Sequence, residues 1–286
     1  MSLVTLSEIL AESREKKYAV GAFDTFDELN TEAVVSAAEE KNVPVILMVC
    51  DYSFNSPNAD RFFAHTLERC RTASVPVCMH LDHGPSFEAV MQAIHYGCSS
   101  VMIDGSSLPF EENVAITKKV MEVAHACGVS VEAEIGHVAG HEGNTDDGNV
   151  ADETAYTKLE DAVRFYEETK VDALAVAIGT VHGVYKGVPK LDFERLDAIR
   201  ERIPAPLVMH GGSGLSEQNF KDAIAHGISK VNFYTGMSLA GANAAREYLN
   251  ANKIADLGEA VETGYNASKQ VVLQHLDIFG TQPIGR

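Results

Sequence analysis

The chain has 286 residues, 45% of them hydrophobic and 22% charged, with 22 glycines and no tryptophan; that suits one large α/β domain and excludes a small stapled fold. Acidic residues outnumber basic ones 41 to 23, a formal charge of −18, which argues against nucleic acid or an anionic membrane as a primary partner. The longest apolar runs, such as Val43 to Cys50, fall well short of a membrane span. Glu8, Glu12 and Glu15 make the start unlike a signal peptide. The cysteines (Cys50, Cys70, Cys78, Cys98 and Cys127) are odd in number and lack CxxC spacing, so they read as reduced thiols of a cytoplasmic protein.

In chain order, strands are expected at AVGAFD from Ala19, VPVILMV from Val43 and VPVCMHL from Val75. The next falls inside AIHYGCSSVMIDG from Ala93, followed by SVEAEIG from Ser130, ALAVAIG from Ala173 and APLVMHG from Ala205. An eighth lies in AIAHGISKVNFYTG from Ala223, which echoes the Ala93 segment as helix end, stop glycine and strand. Short, continuously apolar runs indicate strands buried on both faces. Helical patterns separate them, most clearly Thr31 to Lys41, Ser86 to Tyr96, Glu111 to Cys127, Leu159 to Thr169, Phe193 to Arg202 and Glu217 to His226. Strict alternation implies a parallel sheet, and eight units close most naturally into a (β/α)8 TIM barrel, one domain over residues 1–286. A doubly wound sheet is disfavoured because no GxGxxG follows the first strand. Residues 136–156, glycine-rich, acidic and without apolar period, read as a functional lid or a solvated loop.

Barrel chemistry gathers at the C-terminal strand ends. Those ends carry Asp24, Asp51, His80, Asp82, His83, Asp104, Glu132, Glu134, His182, His210 and Asn232. His83, His182 and His210, from three separate strands, suit Zn2+ with an open fourth position. HGGSG from His210 and HG at His182 can expose backbone N–H groups which, with the Ser213 hydroxyl, hold a phosphate without lysine or arginine. His137 and His141 are left unassigned, and the helical histidines read as structural.

Six stretches, in order along nearly the whole chain, resemble the class II, zinc-dependent fructose/tagatose-bisphosphate aldolase family. They are LDHG (81–84), SVMIDGS (100–106), SVEAEIGHVAGHEG (130–143), ALAVAIGTVHGVY (173–185), PLVMHGGSG (206–214) and KVNFYT (230–235). The resemblance implies one catalytic Zn2+ per subunit on His83, His182 and His210, with Glu134 an alternative ligand and Glu132 a supporting partner. It implies reversible cleavage of a ketose (bis)phosphate of the fructose/tagatose-bisphosphate type to dihydroxyacetone phosphate and an aldehyde through an enediolate. Asp82 would exchange a proton with the hydroxyl that becomes the aldehyde oxygen. Glu142, on a mobile loop over about 136–156, would move the proton on the dihydroxyacetone carbon. Gly183, Gly211, Gly212, Ser213, Asn232, Phe233, Tyr234 and Thr235 would bind the phosphate-bearing half, Asn232 nearest the enediolate. A monovalent cation (Na+ or K+) and a homodimer or homotetramer also belong to what the resemblance implies. Asp104 is open between metal-site neighbour and structural cap.

Four departures bear on substrate. Asp24 stands where many members have asparagine, and Tyr234 where they carry alanine or aspartate. GMSLAG (236–241) lacks the basic residue of bisphosphate-specific relatives, and 252–262 holds only Lys253 where an arginine is usual. These losses raise the alternative of the same chemistry on a ketose 1-phosphate whose aldehyde half is unphosphorylated. A Schiff-base aldolase is disfavoured because Lys230 is expected to precede its strand, at the wrong end of the barrel. A metal-dependent hydrolase lacks its usual His-x-His. A non-catalytic sugar-phosphate-binding protein would not require the histidines with Asp82 and Glu142.

Overall fold

The computed structural model describes residues 2–140, 153–183 and 185–283. Each apolar run forms a strand: β1 (Val20–Asp24), β2 (Val45–Cys50), β3 (Val77–Gly84), β4 (Ser100–Ile103), β5 (Ser130–Ile135), β6 (Ala173–Val176), β7 (Leu207–Met209) and β8 (Ile228–Asn232). They pair in parallel in chain order, and β1 pairs with β8 to close the barrel. Continuous apolarity follows from burial on both faces. On β2, Val45, Leu47 and Val49 face the helical layer, while Ile46 and Met48 join Val20, Ala22, Cys78, Ala175 and Val208 inside. Leu6, Ile9 and Leu10 of a short N-terminal helix pack against this inner cluster.

The six expected helices are present, at Glu28–Lys41, Phe87–His95, Phe110–Ala126, Leu159–Thr169, Phe193–Arg202 and Glu217–Ala225. Side-chain caps fix four of their starts: Asp27 accepts from the Asn30 N–H, Ser86 from Ala89, Asp192 from Arg195 and Ser216 from Asn219. Further helices run over Ala59–Thr72, Thr235–Ala251 and Leu257–Ile278. Lys230 corrects the sequence reading. It lies within β8, its side chain fully buried, not ahead of the strand.

Arg69 ties helix Ala59–Thr72 to helix Glu28–Lys41. Its guanidinium reaches Glu32 at 2.9 Å and Glu39 at 2.6 Å, and Glu39 also accepts from the Ser74 N–H at 2.8 Å. The Arg69 hydrogen bond holds the Glu39 carboxyl below its ordinary range. A carboxyl lowered in the folded state stabilises above its unfolded pKa, and that stabilisation is lost as pH falls through the folded value. Arg69→Met is therefore expected to cost about 1–2 kcal/mol at neutral pH. Urea denaturation should show the gap to wild type narrowing below about pH 4, and a gap independent of pH would contradict the assignment.

Candidate active site

A break in β3 builds the centre of the site. Its register with β4 shifts between Leu81 and Gly84, and His83 adopts a positive φ of 43°. Alternation would send neighbouring residues to opposite faces, yet Asp82 and His83 both line the same cavity at the barrel mouth. There His83 Nε2 lies 2.8 Å from His210 Nδ1 and 3.2 Å from His182 Nε2. The far nitrogens are engaged elsewhere: His83 Nδ1 with Asp104 at 2.7 Å and His210 Nε2 with Glu132 at 2.8 Å.

These carboxylates accept N–H protons, so the converging nitrogens of His83 and His210 present lone pairs. Facing lone pairs at such distances require a shared proton or a cation between them. Burial opposes charge on His83, but Asp82, Asp104 and Glu134 push its pKa up to about 10. Burial, and then the charge on His83, holds His182 and His210 well below the ordinary range. Ligand nitrogens around tetrahedral zinc, with bonds of about 2.0–2.1 Å, stand about 3.3 Å apart. The three imidazoles therefore fit a divalent metal in donor type and spacing, His83 and His210 in tautomer as well, and their donor atoms all lie within 4.8 Å of one another.

Around this trio the barrel interior is a polar layer. Asn232 donates from Nδ2 to Asp82 at 2.8 Å. Lys230 contacts Glu132 at 2.9 Å and donates to Asn232 Oδ1 at 2.7 Å. His80 meets Ser100 at 2.8 Å and lies 3.6 Å from Glu132. Glu134 sits with Asp104 and His83 in a second potential metal cluster and accepts from the Val138 N–H at 3.0 Å. Burial, with Asp104 beside it, pushes the Glu134 carboxyl up to about 8. Asp104, left open by the sequence, is thus a direct partner of His83.

The glycine turns lie above. Gly183 and Gly211 take φ of 76° and 68°. A Cβ on Gly211 would stand 2.4 Å from the Val181 carbonyl oxygen, so that loop needs glycine for both space and conformation. Tyr185 links the turns, donating its hydroxyl to Gly211 O at 2.7 Å and accepting from Val181 N at 3.1 Å. Its role escaped the sequence reading. Ser213 and Thr235 are buried close together, Ser213 Oγ accepting from Gly236 N at 3.3 Å. Phe233 behaves differently. Its ring packs into the outer hydrophobic layer, its centroid 3.9 Å from that of the His275 ring, and its N–H is donated to Ala22 O at 2.9 Å.

A cavity of about 490 Å³ opens over the histidines, lined by Phe26, Cys50, Asp51, Tyr52, Asp82, Asp104 and Tyr234 among others, with no lysine or arginine among its described lining residues. Asp24 lies buried behind Cys50, accepting its thiol at 3.4 Å. Phe26 stacks on Tyr52 and meets Tyr234 edge-on; Phe26 and Tyr52 also border an adjoining cavity that contains Arg61. Neither aromatic was singled out in the sequence. Residues 141–152, and with them His141 and Glu142, lie outside the described residues.

The family described as Fructose-bisphosphate aldolase class-II matches residues 4–283. Fructose-bisphosphate aldolase of Staphylococcus aureus is 41% identical over 285 residues, covering 98% of both chains. The probable fructose-bisphosphate aldolase of Bacillus subtilis is 40% identical, over 98% of this chain and 99% of its own. Among solved structures, the YdjI aldolase of Escherichia coli K12 superposes with a TM-score of 0.86 at 31% identity, over 98% of each chain. A putative fructose-1,6-bisphosphate aldolase from Coccidioides immitis gives 0.83 at 28% identity, over 95% and 94%.

Proposed function

The chain belongs to the class-II fructose-bisphosphate aldolase family, and from that premise we propose how its residues divide the work of cleaving a ketose phosphate into dihydroxyacetone phosphate and an aldehyde. The observation that carries the proposal is the convergence of the His83, His182 and His210 nitrogens, at 2.8 and 3.2 Å, with the outer nitrogens of His83 and His210 committed to Asp104 and Glu132. His83, His182 and His210 would hold zinc as neutral imidazoles, and the metal so bound would supply a full positive charge to polarise the ketose carbonyl and to offset the negative charge that develops as the carbon–carbon bond breaks.

The chain's own groups do the rest. Asp82, buried beside the cluster, accepts the proton of the hydroxyl that becomes the aldehyde oxygen. Asn232 aims its amide N–H at the same place and steadies the phosphate-bearing half. The turns at Gly183 and Gly211–Ser213, with Tyr234 and Thr235, bind that half and its phosphate through backbone N–H and hydroxyl groups. Glu142 exchanges the proton on the dihydroxyacetone carbon. Asp24 acts from behind Cys50, whose thiol it accepts, and Glu134 offers a second position for the metal. The active unit is a cytoplasmic homodimer or homotetramer.

The cavity favours a more specific substrate. Its described lining holds Asp51, Asp82 and Asp104 but no lysine or arginine, an environment that disfavours a second phosphate. The preferred substrate is accordingly a ketose 1-phosphate with an unphosphorylated aldehyde half. The test measures dihydroxyacetone phosphate release from fructose and tagatose 1,6-bisphosphates and from ketose 1-phosphates, with and without chelator. Chelator-sensitive release, faster with 1-phosphates, is expected. Strong preference for a bisphosphate overturns the substrate assignment, and absence of release from every ketose phosphate overturns the division of roles.

A further inference from the structure

Lysine is seldom fully buried unless paired, and Lys230 sits at the centre of the barrel with its side chain wholly enclosed. Its ammonium has two described neighbours, Glu132 Oε2 at 2.9 Å and Asn232 Oδ1 at 2.7 Å. We propose that Lys230 is a positioning residue that fixes the orientation of both Asn232 and His210 at the metal site.

Donor–acceptor chemistry carries the argument. An ammonium only donates, so the Asn232 atom facing it must be the carbonyl oxygen. The amide nitrogen is then forced toward Asp82 Oδ1 at 2.8 Å and His210 Nδ1 at 3.2 Å. Lys230 and Asp82 thus hold the amide from its two ends, and without Lys230 only Asp82 resists the flip that would set a carbonyl oxygen against its carboxylate. The second route passes through Glu132. One carboxylate oxygen meets Lys230 and the other accepts His210 Nε2–H at 2.8 Å. A carboxylate that can only accept obliges His210 to carry its proton on Nε2 and to direct the Nδ1 lone pair toward His83 and His182. Both routes start from one ammonium. β8 supplies it because Lys230 and Asn232, two residues apart, share the inward face of the strand.

The inference rests on the proposed zinc site, and its test uses the full-length protein. Lys230→Met keeps the length of the chain and removes every donor. Zinc affinity, measured by competition with a chromophoric chelator, and kcat are each expected to fall about 10–100-fold. Nitrogen-15 spectra of the histidine rings should lose the uniform Nε2–H form of His210. Because Lys230→Met strands Glu132 and could prevent folding, Lys230→Met/Glu132→Gln is the second variant. The carbonyl oxygen of the introduced glutamine still accepts from His210, so zinc affinity should return to within about threefold of wild type. Asn232 is held at its Asp82 end alone, so kcat should stay depressed at unchanged KM.

Recovery of kcat together with zinc affinity in the double variant would reduce Lys230 to a countercharge and overturn the proposal. So would a folded Lys230→Met protein with wild-type zinc affinity, tautomer and kcat. Failure of the metal-site reading is distinct, because then the wild-type protein itself binds no zinc.

Discussion

Dialysis against a chelator is expected to slow aldol cleavage about a thousandfold or more, with activity returning on addition of zinc. The magnitude follows from the several kcal/mol by which a Lewis acid stabilises developing charge, each 1.4 kcal/mol being about tenfold in rate. His83→Ala, His182→Ala and His210→Ala should each produce a loss of the same order that zinc does not reverse, because each removes one of three converging donors. Metal analysis alongside the assays checks the cause. A chelated protein that is metal-free yet retains more than about a tenth of its activity would exclude the trio as the catalytic metal site.

Asp82→Asn should lower kcat about 10²- to 10⁴-fold, the range for losing a positioned general acid–base group, with little change in KM. Asparagine matches aspartate in shape and can present its carbonyl oxygen to Asn232 Nδ2, so the 2.8 Å contact survives and the loss reports on proton transfer. Zinc content should stay at the wild-type level, because Asp82 is not among the three imidazole donors. A fall of less than tenfold, or one explained by lost zinc, would move the proton-transfer role elsewhere.

The barrel was legible because its signal is collective. Eight apolar runs at regular spacing, each followed by a helical pattern, admit few topologies, and an error at one boundary changes little. The three histidines were legible for the same reason, each standing at or just beyond the end of a recognisable strand. Lys230 was not. A charged residue near the start of an apolar run looks like a strand entrance, and only its two-residue spacing from Asn232 signalled an inward face. Its acceptor, Glu132, lies nearly a hundred residues away, and no local pattern marks that pairing. Tyr185 was hidden differently, since a tyrosine after a glycine turn carries no sign that its hydroxyl will bridge Val181 and Gly211.

The irregular backbone at His83 has a consequence for anyone transplanting this chemistry. An unbroken strand with alternating sides can offer a mouth either the carboxylate or the adjacent imidazole, never both. A left-handed conformation at a residue other than glycine costs about 1–2 kcal/mol, and here it turns His83 to the same side as Asp82. A host barrel given only the side chains would have its proton acceptor and its metal ligand facing opposite ways. The kink has to travel with them as part of the graft.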